Sequence, residues 1–188
     1  KGAQVSFHLH VPLCPALARA VTSAANAADP VVIDDFEGID SGHWRVSGDA
    51  FGTAPARGTL PGQMHVDGFQ GRGLVNSFKG GDNTIGKLTS PKFKIERKFV
   101  TFLIGGGGYA NETCMNLMVD GKVVRTATGP NTDAGGGESL PPAARGGFES
   151  AGREARYVSV EERKGARGHN NVDPIVQTEG GGSIPRAE

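Results

Sequence analysis

No stretch of this 188-residue sequence approaches the roughly 20 consecutive apolar residues that a membrane-spanning helix requires. An excess of one charge is also missing. Lys+Arg and Asp+Glu both number 20, giving a formal net charge of zero. That balance removes the electrostatic basis for binding nucleic acid or an anionic lipid surface. Cysteine is scarce: Cys14 and Cys114 are the 2 present, too few for a disulfide framework and not enough to assign a redox compartment. Cys114 sits in an apolar run and reads as a small buried hydrophobe. Familiar catalytic signatures are absent as well. There is no Gly-x-Ser-x-Gly elbow and no His-Glu-x-x-His pair. Gly105–Gly108 is not followed by the Gly-Lys-Ser/Thr of a phosphate-cradling loop and reads as a turn between strands. His8 and His10 have zinc-like spacing but lack downstream partners.

What the chain has is turn chemistry. Its 30 glycines and 11 prolines are too many for a helical bundle and punctuate a series of short apolar runs. Strands are expected at 30–34, 43–47, 74–78, 98–104, 114–119, 122–127, 156–160 and 172–176. The run 98–104 is apolar almost throughout and should be a central buried strand. Asp120-Gly121 between two β-rich runs supplies the positive-φ positions of a tight primed hairpin turn. Pro174 cannot donate to a ladder, so the last strand is expected at an edge or to bend there. With no long helix pattern, the expected fold is all-β: a single jelly-roll-like β-sandwich with disordered N- and C-terminal extensions. Residues 29–179 form the sandwich, with 138–150 an irregular loop around its glycines and prolines, and 180–188 a linker. Residues 1–28 read as the remnant of a secretory signal, or an extension, with Ala25-Asn26-Ala27 as a small-x-small cleavage site. A signal would place the protein outside the cytoplasm, secreted or periplasmic.

A set of motifs then occurs in a telling order. Val32-Ile-Asp-Asp-Phe-Glu-Gly38, Trp44-Arg-Val-Ser-Gly-Asp-Ala-Phe-Gly52 and Gly58-Thr-Leu-Pro-Gly-Gln-Met64 come first. Gly71-Arg-Gly-Leu-Val-Asn-Ser-Phe78, Leu88-Thr-Ser-Pro91, Phe102-Leu-Ile-Gly-Gly-Gly-Gly108, Thr113–Gly129 and Gly168-His-Asn-Asn-Val-Asp-Pro-Ile-Val176 follow. Together, from about Val31 to Glu179, they resemble the β-sandwich module attached to levanases and related β-fructosidases of glycoside hydrolase family 32. That module is the fructan-recognising type, carbohydrate-binding module family 66. The resemblance implies recognition of fructose units, notably at the non-reducing end of levan. It also implies a covalently linked catalytic propeller, whose Asn-Asp-Pro-Asn, Arg-Asp-Pro and Glu-Cys motifs do not occur in this chain. The chain departs from the family at Leu140–Phe148, which lacks the usual aromatics, and at Ala166-Arg167, where a Trp is usual before Gly168-His169.

A furanose needs an apolar platform beside fixed donors and acceptors. Trp44, the 1 tryptophan, serves either as that platform or as core. Glu37 is a hydroxyl acceptor, a turn carboxylate or a calcium ligand. His169 and Asn170 are expected in a loop before the last strand, where binding groups are often presented. Asn76 and its neighbour Ser77 offer donors and acceptors. Asp173 comes beside Glu37 if the first and last strands pair, giving an acceptor pair or, with Asp35, an oxygen-ligand Ca²⁺ site. Paired carboxylates can also hydrolyse glycosides, but Asp34, Asp35, Glu37 and Asp173 lie where strand ends more often bind Ca²⁺ or stay solvated. No cofactor is required; structural Ca²⁺ is the one candidate. The function expected is carbohydrate binding without catalysis, and the alternative is a spacer or interaction module of a multidomain glycosidase.

Overall fold

The computed structural model describes residues 28–131, 144–149, 155–163 and 168–180. Of the signal or extension expected over 1–28 and the linker over 180–188, residues 1–27 and 181–188 lie outside the described residues. The described chain contains no helix and builds two largely antiparallel sheets. In the first sheet lie β1 (Val31–Asp34), β3 (Val75–Asn76), β6 (Phe99–Gly106), β9 (Ala144–Glu149) and β11 (Asn170–Thr178). In the second lie β2 (Arg45–Gly48), β4 (Gly86–Thr89), β5 (Phe93–Lys94), β7 (Thr113–Val119), β8 (Lys122–Ala127) and β10 (Ala155–Glu162). The order of the first sheet is β1-β11-β6-β9, with β3 also paired to β11. The second runs β2-β4-β10-β7-β8, with β5 also paired to β10. The result is an all-β, jelly-roll-like sandwich.

Alternation places the core between the sheets. Val100, Phe102 and Ile104 on β6, Met115 and Leu117 on β7, Val158 and Val160 on β10, and Val172 and Ile175 on β11 join one buried cluster. On β11 the inward positions step from 172 to 175 because the pairing slips between Asp173 and Ile175. Pro174, which has no N–H for the ladder, lies in that bulge. The expected bend is therefore present. An edge position is not, since β11 lies between β1 and β6. The first and last strands do pair, Val31 opposite Gln177 and Val32 opposite Val176.

The hairpin between β7 and β8 turns at Asp120 and Gly121, with φ of 48° and 77°, as a primed turn demands. Cys114 is a buried free thiol, and burial pushes its pKa up. One expectation is corrected. Ala144–Glu149, placed within an irregular loop, is strand β9 and pairs with β6 from Ile104 to Phe99. The free edge of the buried strand β6 supplies backbone partners whatever the side chains, so glycine-rich sequence suffices there. The rest of 138–150 lies outside the described residues.

Candidate functional site

The segment following β1 organises this end of the sandwich. Asp34 Oδ1 accepts the Phe36 N–H at 2.7 Å, and its Oδ2 accepts the Trp44 indole N–H at 2.6 Å. Asp35 Oδ1 accepts the Glu37 N–H at 3.1 Å. These bonds hold Phe36 at φ 55°, a left-handed conformation uncommon for a bulky residue. Phe36 and Trp44 then meet with ring centroids 5.5 Å apart.

Trp44 is 8% exposed and belongs to the core cluster, so it is not an open stacking platform. It nevertheless forms part of a wall. A cavity of about 250 Å³ opens beside it. Phe36, Trp44 and Phe51 give that cavity apolar surface, while Asp34, Asp35 and Asp40 put three carboxyl groups around it. Ser41 and Asn76 also line it, and no basic side chain does. Asn76 is buried, and both ends of its amide are engaged. Its Oδ1 accepts from Gln63 Nε2 at 3.1 Å and from the Phe78 N–H at 3.0 Å, and its Nδ2 donates to Gln63 Oε1 at 2.8 Å. Asp40, Ser41 and Phe51 escaped the sequence reading. An Asp-Ser-Gly turn marks a loop, but only the fold folds that loop back against Trp44.

Glu37 and Asp173 come together as expected, and both hold the same loop. Glu37 Oε1 accepts the N–H groups of Arg72 and Gly73 at 2.6 and 2.8 Å. Arg57 and Arg72 approach its other oxygen at 3.6 and 3.5 Å. The two backbone donors are the main reason its pKa falls below the ordinary carboxylate value, and Arg57 adds to them. Asp173 Oδ2 accepts the Gln70 N–H at 2.7 Å. Asp173 is 1% exposed, and burial pushes its pKa up to about 7 against the Gln70 bond, with Glu37, Asp35 and Asp34 adding repulsion. The pair thus clamps the 70–73 loop against β1 and β11. Gly73 is required in that loop, because a Cβ there would overlap the Phe36 carbonyl.

The calcium expectation named Asp35, Glu37 and Asp173. Among the described residues no group of three or more His, Cys, Asp or Glu side chains is placed to hold a metal ion. Glu37 Oε1 and Asp173 Oδ2 accept N–H groups of the loop, Asp35 Oδ1 caps its own turn, and Asp173 Oδ1 is buried without a hydrogen-bond partner.

His169 and Asn170 are corrected, since neither is displayed in a surface loop. Asn170 opens β11 and is fully buried. Its N–H donates to Ser77 Oγ at 2.7 Å and its Nδ2 to the Glu161 carbonyl at 3.0 Å. His169 is buried against Phe78, edge to face at 4.9 Å, with Nδ1 3.3 Å from Asp82 Oδ1. Burial lowers its pKa, against the pull of Asp82.

No protein-family model matches the chain. Over 161 residues it is 37% identical to a protein of Aspergillus rugulosus named "Putative glycosyl hydrolase ecdE", a match spanning 84% of this chain and 22% of that protein. The chain therefore spans about a fifth of that relative's length. Among solved structures, the K3 and K1 cleaved adhesin domains of Lys-gingipain from Porphyromonas gingivalis superpose with TM-scores of 0.50 each, at 16% and 13% identity. Each match covers 81% of this chain, and 99% and 98% of the respective adhesin domain. At such identities the likeness is one of fold.

Proposed function

We propose that this chain is a carbohydrate-binding module of a secreted glycosidase. It seats a terminal fructose unit of a β-fructan such as levan and carries no catalysis itself. The observation that carries the reading is the cavity beside Trp44, which sets apolar ring surface against three carboxyl groups in one concave site. Sugar rings need this combination: a C–H face packs on apolar wall, and hydroxyls donate to carboxylate oxygens. At about 250 Å³ the space lies just under the roughly 300–1,000 Å³ of drug-sized pockets. It suits one ring at a chain end better than a run of internal sugars. The relative's name supports a glycosidase context, and the ordered motifs from Val32 to Val176 support fructan as the polymer.

The test is isothermal titration of the chain with levan, inulin and fructose. Saturable heat with levan is expected, weakened at least tenfold by Ser41→Phe, which fills the cavity, with the melting temperature preserved. Asp35→Asn should weaken it less, because the amide oxygen still caps the Glu37 N–H. A folded wild-type chain that releases no heat with any of the three ligands would overturn the proposal and leave a spacer module.

A further inference from the structure

The cavity beside Trp44 leaves a second polar cluster unexplained, at the end of the sandwich where β10 finishes and β11 starts. Three of its side chains occupy positions that alternation directs into the core. Glu162 continues the inward series Val158, Val160; Thr113 precedes Met115 and Leu117; Asn170 precedes Val172. Glu162 and Thr113 are register partners across β10 and β7. Ser77 joins Glu162 to Asn170, its Oγ donating to Glu162 Oε2 at 3.0 Å and accepting the Asn170 N–H at 2.7 Å. Glu162 is 1% exposed, and Thr113 and Asn170 are 0% exposed.

Each of the three still has an oxygen without a hydrogen-bond partner: Glu162 Oε1, Thr113 Oγ1 and Asn170 Oδ1. Buried oxygens are rarely left so, because an unmet one carries the full desolvation penalty of its group. Among the described residues no cation pairs with Glu162. The nearby basic groups Lys87 and Arg163 are both taken by Glu161, Lys87 at 3.0 Å. Burial, and after it the neighbouring carboxyl groups of Asp82 and Glu112, disfavour a bare charge on Glu162 despite the Ser77 bond. The His169 ring next to Asn170 is engaged by Asp82, Nδ1 lying 3.3 Å from Asp82 Oδ1.

We propose that Glu162 Oε1, Asn170 Oδ1 and Thr113 Oγ1 are protein ligands of a Ca²⁺ ion that ties β7, β10 and β11 together at this end of the sandwich. The donors are all hard oxygens, one of them a carboxylate, which Ca²⁺ accepts in flexible six- to eightfold coordination completed by main-chain carbonyls and water. Mg²⁺ is disfavoured, since it demands near-ideal octahedral geometry and dehydrates reluctantly. The ion would satisfy three orphaned oxygens at once and offset the charge of Glu162, which has no basic partner among the described residues. Its role is structural, and it is independent of sugar binding beside Trp44.

The test uses the whole chain, stripped with EDTA and dialysed, then titrated with CaCl₂ or MgCl₂ by calorimetry and thermal melting. CaCl₂ should bind saturably and raise the melting temperature, with MgCl₂ at least tenfold weaker. Glu162→Gln keeps the side-chain shape and the Ser77 bond, and should weaken Ca²⁺ binding at least tenfold. Asp173→Asn, in the loop clamp, should leave it unchanged. Should Glu162→Gln not fold, Thr113→Val, nearly isosteric, is judged by the same loss. A wild-type chain indifferent to CaCl₂ would overturn the proposal, as would a Glu162→Gln or Thr113→Val chain that still answers CaCl₂ as the wild type does. A buried water would then be what fills the gap.

Discussion

Asp173 makes the stability of this sandwich depend on pH in a direction opposite to that of most carboxylates. It lies 1% exposed on β11, opposite Leu103. Burial and the charges of Glu37, Asp35 and Asp34 raise its pKa from 3.8 to about 7. The folded chain therefore keeps a proton that the unfolded chain gives up near pH 4. Stability from this group is complete below about 3.8, falls as pH rises toward 7, and is flat above that. At 1.36 kcal/mol per pH unit the loss amounts to about 4 kcal/mol between pH 4 and pH 8. Asp173→Asn removes the titration while its amide oxygen can still accept the Gln70 N–H. The variant should lose less stability than the wild type between pH 4 and 8, keeping only the decline that Glu162, raised to about 8, contributes, and should exceed the wild type at pH 8. At roughly 2–4 °C per kcal/mol for a domain of this size, the gap is on the order of 10 °C. Circular dichroism melts at half-unit pH steps measure it. A wild-type profile that rises or stays flat between pH 4 and 8 would refute the reasoning. So would an Asn variant less stable than wild type at pH 8.

Three further substitutions probe the same end of the fold. Glu37→Ala strands the N–H groups of Arg72 and Gly73 and should cost about 1–3 kcal/mol in urea denaturation. A loss under about 0.5 kcal/mol would show that the loop is held by something else. Gly73→Ala drives a methyl into the Phe36 carbonyl and should cost more than about 2 kcal/mol, as strained core substitutions do; wild-type stability there would mean the loop approaches less closely. Trp44→Phe keeps the aromatic contact with Phe36 but leaves Asp34 Oδ2 without its donor, for an expected loss of about 1–3 kcal/mol in calorimetric melts. An unchanged melting temperature would deny that bond a role.

The parts of this fold legible in the sequence are those written in local chemistry. Asp120-Gly121 specifies its own turn, and the unbroken apolar run at Phe99–Ile104 has no stable place except a buried strand. Pairing of β1 with β11 brought Glu37 and Asp173 together, as the sequence suggested, but not their role. Both carboxylates point at backbone N–H groups 35 or more positions away in the chain, which no local pattern records. His169 and Asn170 misled for a related reason. Polar residues beside glycine read as loop, yet here they satisfy a buried end where β11 meets Ser77 and Asp82. β9 was hidden because Gly146 and Gly147 dilute the strand pattern, while its pairing depends on the free edge of β6. Glu161 and Glu162 carry no sequence signal at all, since two adjacent acids normally mark a solvated surface. In β10 they point to opposite faces, Glu161 into ion pairs with Lys87 and Arg163 and Glu162 into the core.

Glu37 and Asp173 form a pair whose protonation is driven apart, one carboxyl held ionised and the other holding its proton to about pH 7. In an active site such a split assigns a base and an acid. Position argues for a different use here. A general acid must bring its proton within hydrogen-bond reach of the leaving oxygen, but Asp173 Oδ1 is buried and Oδ2 faces the Gln70 N–H. A base or nucleophile must present a free lone pair, but one Glu37 oxygen is filled by two backbone donors and the other faces two arginines. Each shift has its cause in the clamp itself: donors that stabilise the charge on Glu37, and burial beneath the loop that disfavours it on Asp173. The split is thus what anchoring a loop between two acidic strands produces. Its consequence falls on the rigidity of the 70–73 loop and of the neighbouring segment that walls the Trp44 cavity, where a bound sugar would meet a surface already set.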